Sequence, residues 1–233
     1  MPLIKDRPWW RPLKKVGPVT VAYVDLSRDR TKEAWAWLDR SERARYHRYL
    51  KAHSKREFSL CRGALRAILC EQLGCPNREL HFETNEHGKP FALLKKAQAP
   101  IDFNVSHSGS HGLIAWSSRG RVGVDVEERD AHRNLDGGLQ TVFAPREQAE
   151  LARAQGEHKR RLFFDLWAMK EALVKALGVG LAQDISQFEL PKSIVRGDLV
   201  TDVFRFPRQK IQWRLQKLGN ARYAAALAFD ENQ

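Results

Sequence analysis

No run of this sequence is apolar for long enough to cross a bilayer. Its opening, MPLIKDRPWWRPLKK, lacks the apolar core of a secretory leader. Together these absences predict a cytoplasmic protein with no membrane partner. Cysteine is scarce: Cys61, Cys70 and Cys75 are odd in number and show no CxxC spacing. That argues against a disulfide framework or a zinc site and predicts reduced thiols. Negative charge is short too, with 28 Asp and Glu against 40 Lys and Arg, a net charge of +12. Such a chain favours polyanionic partners: nucleic acid, a phosphate-rich small molecule, or an acidic protein. A basic surface kept for solubility would explain the charge as well. With 233 residues, 42% of them hydrophobic, the chain can bury one large core or two small ones.

Residues 1–17 read as an irregular arm, and 18–26 as a strand in which Val19, Val21 and Tyr23 alternate with Thr20 and Ala22. Residues 31–50 are predicted helical, with Asp39 and Glu42 spaced as a capping box and Arg43, Arg45, Arg48 and Lys51 following. A second helix, over 54–73, has a capping box at Ser54 and Glu57, and Gly74 and Pro76 stop it. Lys55, Arg62 and Arg66 lie along its flank, where a bound phosphate or plain solvation would relieve their repulsion. Strands follow at 80–84, 101–106, 112–117 and 121–128, with a turn at 87–90. A loop over 129–142 leads to a helix at 146–155, with Pro145 at its first position. A long helix over 158–177 comes next, and strands at 185–190, 211–215 and 223–229 end the chain.

The helices over 54–73 and 158–177 align, matching Phe58 with Leu162, Leu65 with Met169, Leu69 with Leu173, and Leu73-Gly74 with Leu177-Gly178. Each is followed by strands. The expected fold is therefore α+β, with two similar α+β halves, 1–118 and 119–233, in one chain.

The helix over 158–177 has an ordinary apolar stripe of Leu162, Leu166, Met169, Leu173 and Leu177. Its other face carries Phe164, Trp167, Glu171 and Lys175. A helix apolar on both faces is buried on both, and a carboxylate there needs a partner or a cation. An i,i+4 surface ion pair between Glu171 and Lys175 is the plain alternative. On the strand GVDVE, Val124 and Val126 face one way, and Asp125 and Glu127 the other. A solvated outer face would hold that acidic pair. With Glu171, however, three carboxylates become available, and hard oxygen donors suit Mg²⁺ bridging protein and pyrophosphate. No Cys or His cluster favours a softer metal. Lys89 in its Gly/Pro turn, and Ser106 and His107 at a strand end, suit a polyphosphate.

The stretches GKP (88–90), FNVSHSG (103–109), GVDVE (123–127) and WAMKEALVK (167–175) occur in that order, with FAPRE at 143–147 in keeping. They resemble the signature blocks of the 4′-phosphopantetheinyl transferases of the Sfp type, over residues 39–190. The resemblance implies a pseudo-dimer of two α+β halves with the active site between them. It implies transfer of the 4′-phosphopantetheine arm of coenzyme A to a serine of an apo acyl or peptidyl carrier protein, releasing adenosine 3′,5′-bisphosphate. It also implies Mg²⁺ on Asp125, Glu127 and Glu171, Lys175 at the phosphate under attack, and Ser106 and His107 on coenzyme A phosphates. Lys89 would lie at the nucleotide, and Arg43, Arg56 and Arg62 are candidates for the 3′-phosphate. Glu171, or water on the metal, would take the serine proton. An acidic carrier would be steered to a +12 enzyme. Two halves in one chain imply a monomer. Two rivals remain at this level. One is a Mg²⁺-dependent phosphohydrolase or nuclease. The other is a basic nucleic-acid-binding module, for which three carboxylates would repel phosphate unless metal-filled.

Overall fold

The computed structural model describes residues 9–130, 135, 139–179, 184–206 and 210–231. The start of the expected arm (1–8) and part of the expected loop (131–134 and 136–138) lie outside the described residues. In order the elements are β1 (Trp10–Val16), β2 (Val19–Asp25), α1 (Thr31–Trp35), α2 (Arg40–Arg48) and α3 (Ala52–Leu73). Next come β3 (Leu80–Thr84), β4 (Pro90–Leu94), β5 (Ala97–Gln98), β6 (Asp102–Ser108), β7 (His111–Ser117) and β8 (Val122–Glu128). The rest are α4 (Leu139–Val142), α5 (Pro145–Arg153), α6 (Gly156–Leu177), α7 (Lys192–Val195), β9 (Thr201–Phe204), β10 (Trp213–Lys217) and β11 (Tyr223–Asp230).

Two four-stranded antiparallel sheets, ordered β1-β2-β7-β6 and β8-β11-β10-β9, carry the fold, beside a small β3-β4-β5 sheet. Helix α3 buries one face of the first sheet, with Leu60, Leu65 and Ile68 against Ala22, Val24 and Phe103. Helix α6 does the same for the second, where Ala224, Ala226 and Ala228 offer little bulk and let the helix settle close. The remaining faces meet in a third core of Val19, Val21, Leu113 and Ala115 with Val124, Val126, Leu227 and Phe229. β7 and β11 have all their residues buried because each lies inside its sheet with both faces covered.

The two halves repeat one plan. The order β2-β7-β6 on α3 corresponds to β8-β11-β10 on α6. Both helices end on a left-handed glycine, Gly74 (φ 62°) and Gly178 (φ 72°). A side chain at either would be strained there.

Several local expectations change. The arm contains β1, paired with β2; Pro12, which has no N–H to donate, sits at the register shift on this edge strand. The helix expected over 31–50 is two, because Asp39 caps α2: it accepts the Glu42 N–H at 2.9 Å, while Glu42 accepts the Asp39 N–H at 3.0 Å. Ser54 does not cap α3, which begins a turn earlier after Lys51 with no side-chain cap. Arg66 is not part of a phosphate-binding flank. It is fully buried, paired with Asp39 and with Glu42 (2.6 Å), and donates to the Leu80 carbonyl at 3.1 Å. Residues 185–190 do not form a strand: their carbonyls and N–H groups are taken by Lys170 and Glu147 instead of a neighbouring ladder.

Candidate active site

Gly123 is the local cause of the site. A Cβ there would stand 2.1 Å from the Ala172 carbonyl oxygen and 2.3 Å from the Ala176 nitrogen. Only glycine lets the α6 backbone ride on β8 this closely. The consequence is contact between Lys175 on α6 and Asp125 on β8: Lys175 Nζ donates to Asp125 Oδ1 at 2.5 Å and to Ser106 Oγ at 2.9 Å. Ser106, on β6, donates in turn to Asp125 Oδ1 at 2.8 Å. One residue from the first sheet and two from the second thus converge.

Asp125 does not lie on a solvated outer face; it is 2% exposed. Burial raises its pKa above the ordinary carboxylate value, although Lys175 and Ser106 pull the other way. Its Oδ2 is buried with no hydrogen-bond partner. Burial also raises the Glu171 pKa, Lys175 opposes the rise and the Asp125 charge adds to it, so the two carboxylates feel each other. Glu127 is half-buried and accepts from Ser108 Oγ at 3.2 Å.

The donors fit a hard cation in kind. They are carboxylate oxygens, and Asp125 Oδ2 is a buried acceptor with nothing to accept from. They are not drawn together as a cage: among the described residues no group of three His, Cys, Asp or Glu is placed to hold a metal ion.

Ser106 and His107 point to opposite faces of β6. Ser106 meets the Asp125 cluster, while His107 lines a pocket of about 280 Å³ with Arg45, Tyr49, Glu57, Phe58, Arg62 and others. Of the arginines predicted for a phosphate, only Arg62 lines this pocket; Arg43 and Arg56 do not. Arg43 instead lies over the Trp35 ring and donates to the Trp35 carbonyl at 3.3 Å. Lys89 is engaged elsewhere: its ammonium donates to Asp102 Oδ2 at 2.8 Å and to the Val122 carbonyl at 3.2 Å.

Sequence reasoning missed Arg45, which lies over the Phe58 ring and donates to Tyr49 Oη at 3.2 Å. Its i,i+4 spacing to Tyr49 was the available signal. It also missed Asp102, Asn104 and Ser108, whose alternation with Phe103 and Val105 marks a wholly polar strand face.

Comparison with known proteins bears on both halves. The sequence pattern of the 4′-phosphopantetheinyl transferase superfamily matches residues 121–228, and a pattern described as 4′-phosphopantetheinyl transferase, N-terminal, matches residues 25–119. The chain is 37% identical over 152 residues to a Synechocystis protein provisionally named a 4′-phosphopantetheinyl transferase, covering 65% of this chain and 61% of that one. It is 32% identical over 160 residues to the 4′-phosphopantetheinyl transferase HetI of Nostoc, covering 69% and 68%. It is 25% identical over 172 residues to the 4′-phosphopantetheinyl transferase Sfp of Bacillus subtilis, covering 72% and 73%.

Proposed function

This chain belongs to the 4′-phosphopantetheinyl transferase superfamily, and from that premise we propose that it moves the phosphopantetheine arm of coenzyme A onto a serine of an apo acyl or peptidyl carrier protein. The observation that carries this reading is the junction of Ser106, Asp125 and Lys175, one ammonium held by groups from both halves beside an orphaned carboxylate oxygen.

The roles follow from chemistry. Asp125, Glu127 and Glu171 would hold Mg²⁺, which when bound supplies a Lewis acid at the pyrophosphate. Lys175 would shift from Asp125 toward the phosphate under attack and offset the charge that builds on its oxygens. Glu171, its pKa raised by burial, suits the task of taking the proton from the carrier serine. The serine oxygen forms a bond to the β-phosphorus, the bond from that phosphorus to the bridging oxygen breaks, and adenosine 3′,5′-bisphosphate leaves. The pocket of Arg45, Arg62 and His107 suits the anionic nucleotide end, with Ser106 on the pyrophosphate side of β6. Arg43, Arg56 and Lys89 are less well supported as nucleotide contacts, since the first two lie outside that pocket and the ammonium of the third is ion-paired.

The wider setting is part of the same proposal. A net charge of +12 suits an acidic carrier. Division at residues 118 and 119 falls in the turn between β7 and β8, and one chain with both halves needs no second copy. Unbridged Cys61, Cys70 and Cys75 agree with the cytoplasm. No helix among the described residues is long and apolar enough to cross a membrane.

Two substitutions test the roles. Glu171→Gln keeps the volume but loses the base and a metal oxygen, so turnover should fall severely and Mg²⁺ dependence should weaken. Lys175→Met keeps the stem but loses the charge, so turnover should fall while the half-saturating Mg²⁺ concentration stays near that of the unsubstituted protein. Steady-state transfer across a Mg²⁺ titration separates them. Near-native rates in both would reduce the pair to a surface contact, worth about 0–1 kcal/mol.

A further inference from the structure

Strands β6 and β8 are the facing edges of the two large sheets, yet their main chains do not pair: β6 bonds to β7 and β8 to β11. An open edge of this kind leaves a row of N–H groups needing acceptors. Side chains supply them. Val122 N–H donates to Asp102 Oδ2 at 2.7 Å, and Val124 N–H to Asn104 Oδ1 at 3.0 Å. Val126 N–H donates to Ser106 Oγ at 3.3 Å, and Glu128 N–H to Ser108 Oγ at 3.1 Å. Every rung spans the same 20 residues, so the strands run parallel in a single register. Asp and Asn reach one bond further than Ser, so the seam narrows toward Ser108.

Three rungs have a second partner: Asp102 holds Lys89, Ser106 holds Asp125 and Lys175, and Ser108 holds Glu127. Asn104 makes no hydrogen bond to Asp125, Glu127, Glu171 or Lys175. It is buried, and its rung is the one immediately before Asp125. A slip of β8 along this seam would carry Asp125 away from Ser106.

We propose that Asn104 is a positioning residue: by accepting the Val124 N–H it sets the register of the second half against the first and so places Asp125 on Ser106 and Lys175. The kinetic part of this rests on the transferase reading; the register part does not.

The test compares Asn104→Leu, which removes the acceptor, with Asn104→Asp, which keeps it at the same reach. Two readouts are taken, amide hydrogen exchange at Val124 and steady-state transfer with coenzyme A varied. For Asn104→Leu, Val124 exchange should quicken and kcat should fall by about tenfold to a hundredfold, the scale of an ångström-level misplacement. The KM for coenzyme A should stay within about twofold, because Asn104 lies on the seam face of β6 and not in the nucleotide pocket. Asn104→Asp should restore both readouts. Should Asn104→Leu not fold, Asn104→Ser, with an acceptor one bond short, is read the same way. Native kcat or unchanged Val124 protection in the acceptor-deficient variant would overturn the proposal, as would equal losses in the Leu and Asp variants. Quickened exchange in a protein that never shows transfer would uphold the register and refute the transferase reading.

Discussion

Asp125→Asn is expected to lower kcat by roughly 10²–10³-fold or more, the scale of losing one preorganised electrostatic group at a developing charge. The protein should nevertheless stay folded and melt no lower at pH 7. Burial raises the folded-state pKa of Asp125 above its ordinary 3.8 despite the Lys175 ammonium, so the ionised form is a cost to the folded state. Its contribution to stability falls as pH climbs above 3.8 and through the raised folded-state value, and at neutral pH that loss is complete. The amide removes the cost, and its oxygen can still accept from Ser106. Thermal melting and transfer are measured on the same preparation. A large drop in melting temperature would mean that Asp125 is structural, and native turnover would remove it from the site.

The largest loss of stability is expected from Lys170→Met. Lys170 and Glu147 are both fully buried, 2.7 Å apart. Lys170 also donates to the Ile185 and Phe188 carbonyls, each at 2.7 Å, and Glu147 accepts from the Ala144 N–H at 2.9 Å and the Leu190 N–H at 2.8 Å. Burial pushes the Lys170 pKa down and the Glu147 pKa up, so each charge is tolerated only because the other is present. Removing one partner strands the other and costs about 3–5 kcal/mol. For a chain of this size that is a fall in melting temperature of roughly 6–20 °C. In the double variant Lys170→Met with Glu147→Gln, the amide still accepts from the backbone without a charge, and part of the loss should return. Chemical denaturation of the three proteins measures this. A single variant within about 1 kcal/mol of the parent, the ordinary effect of a point substitution, would contradict the account.

Much of the site was legible because it follows from strand and helix periodicity. Alternation along GVDVE separated Asp125 from Val124, and the turn spacing on α6 brought Glu171 and Lys175 to one side. The repeat of Leu-Gly helix ends gave the two-half plan, since both glycines are left-handed caps. Contacts between distant segments were not legible. The arginine row on α3 could not be sorted, because only tertiary packing sends Arg66 into the core with Asp39 and Glu42 and leaves Arg62 lining a pocket. Residues 185–190 have strand-like composition, but a buried ion pair on α5 and α6 takes their backbone groups. β1 was obscured by Pro12, which an edge strand with a register shift accommodates.

The central claim is tested most directly by intact-protein mass spectrometry of an apo carrier protein. The carrier is incubated with this chain, coenzyme A and Mg²⁺, and in parallel with chelator and with Asp125→Asn. The account predicts a mass gain of one phosphopantetheine on the carrier serine, together with free adenosine 3′,5′-bisphosphate. It predicts no gain with chelator and little with the variant. Coenzyme A cleaved without modification of any carrier offered, acyl and peptidyl alike, would point to a phosphohydrolase and contradict it.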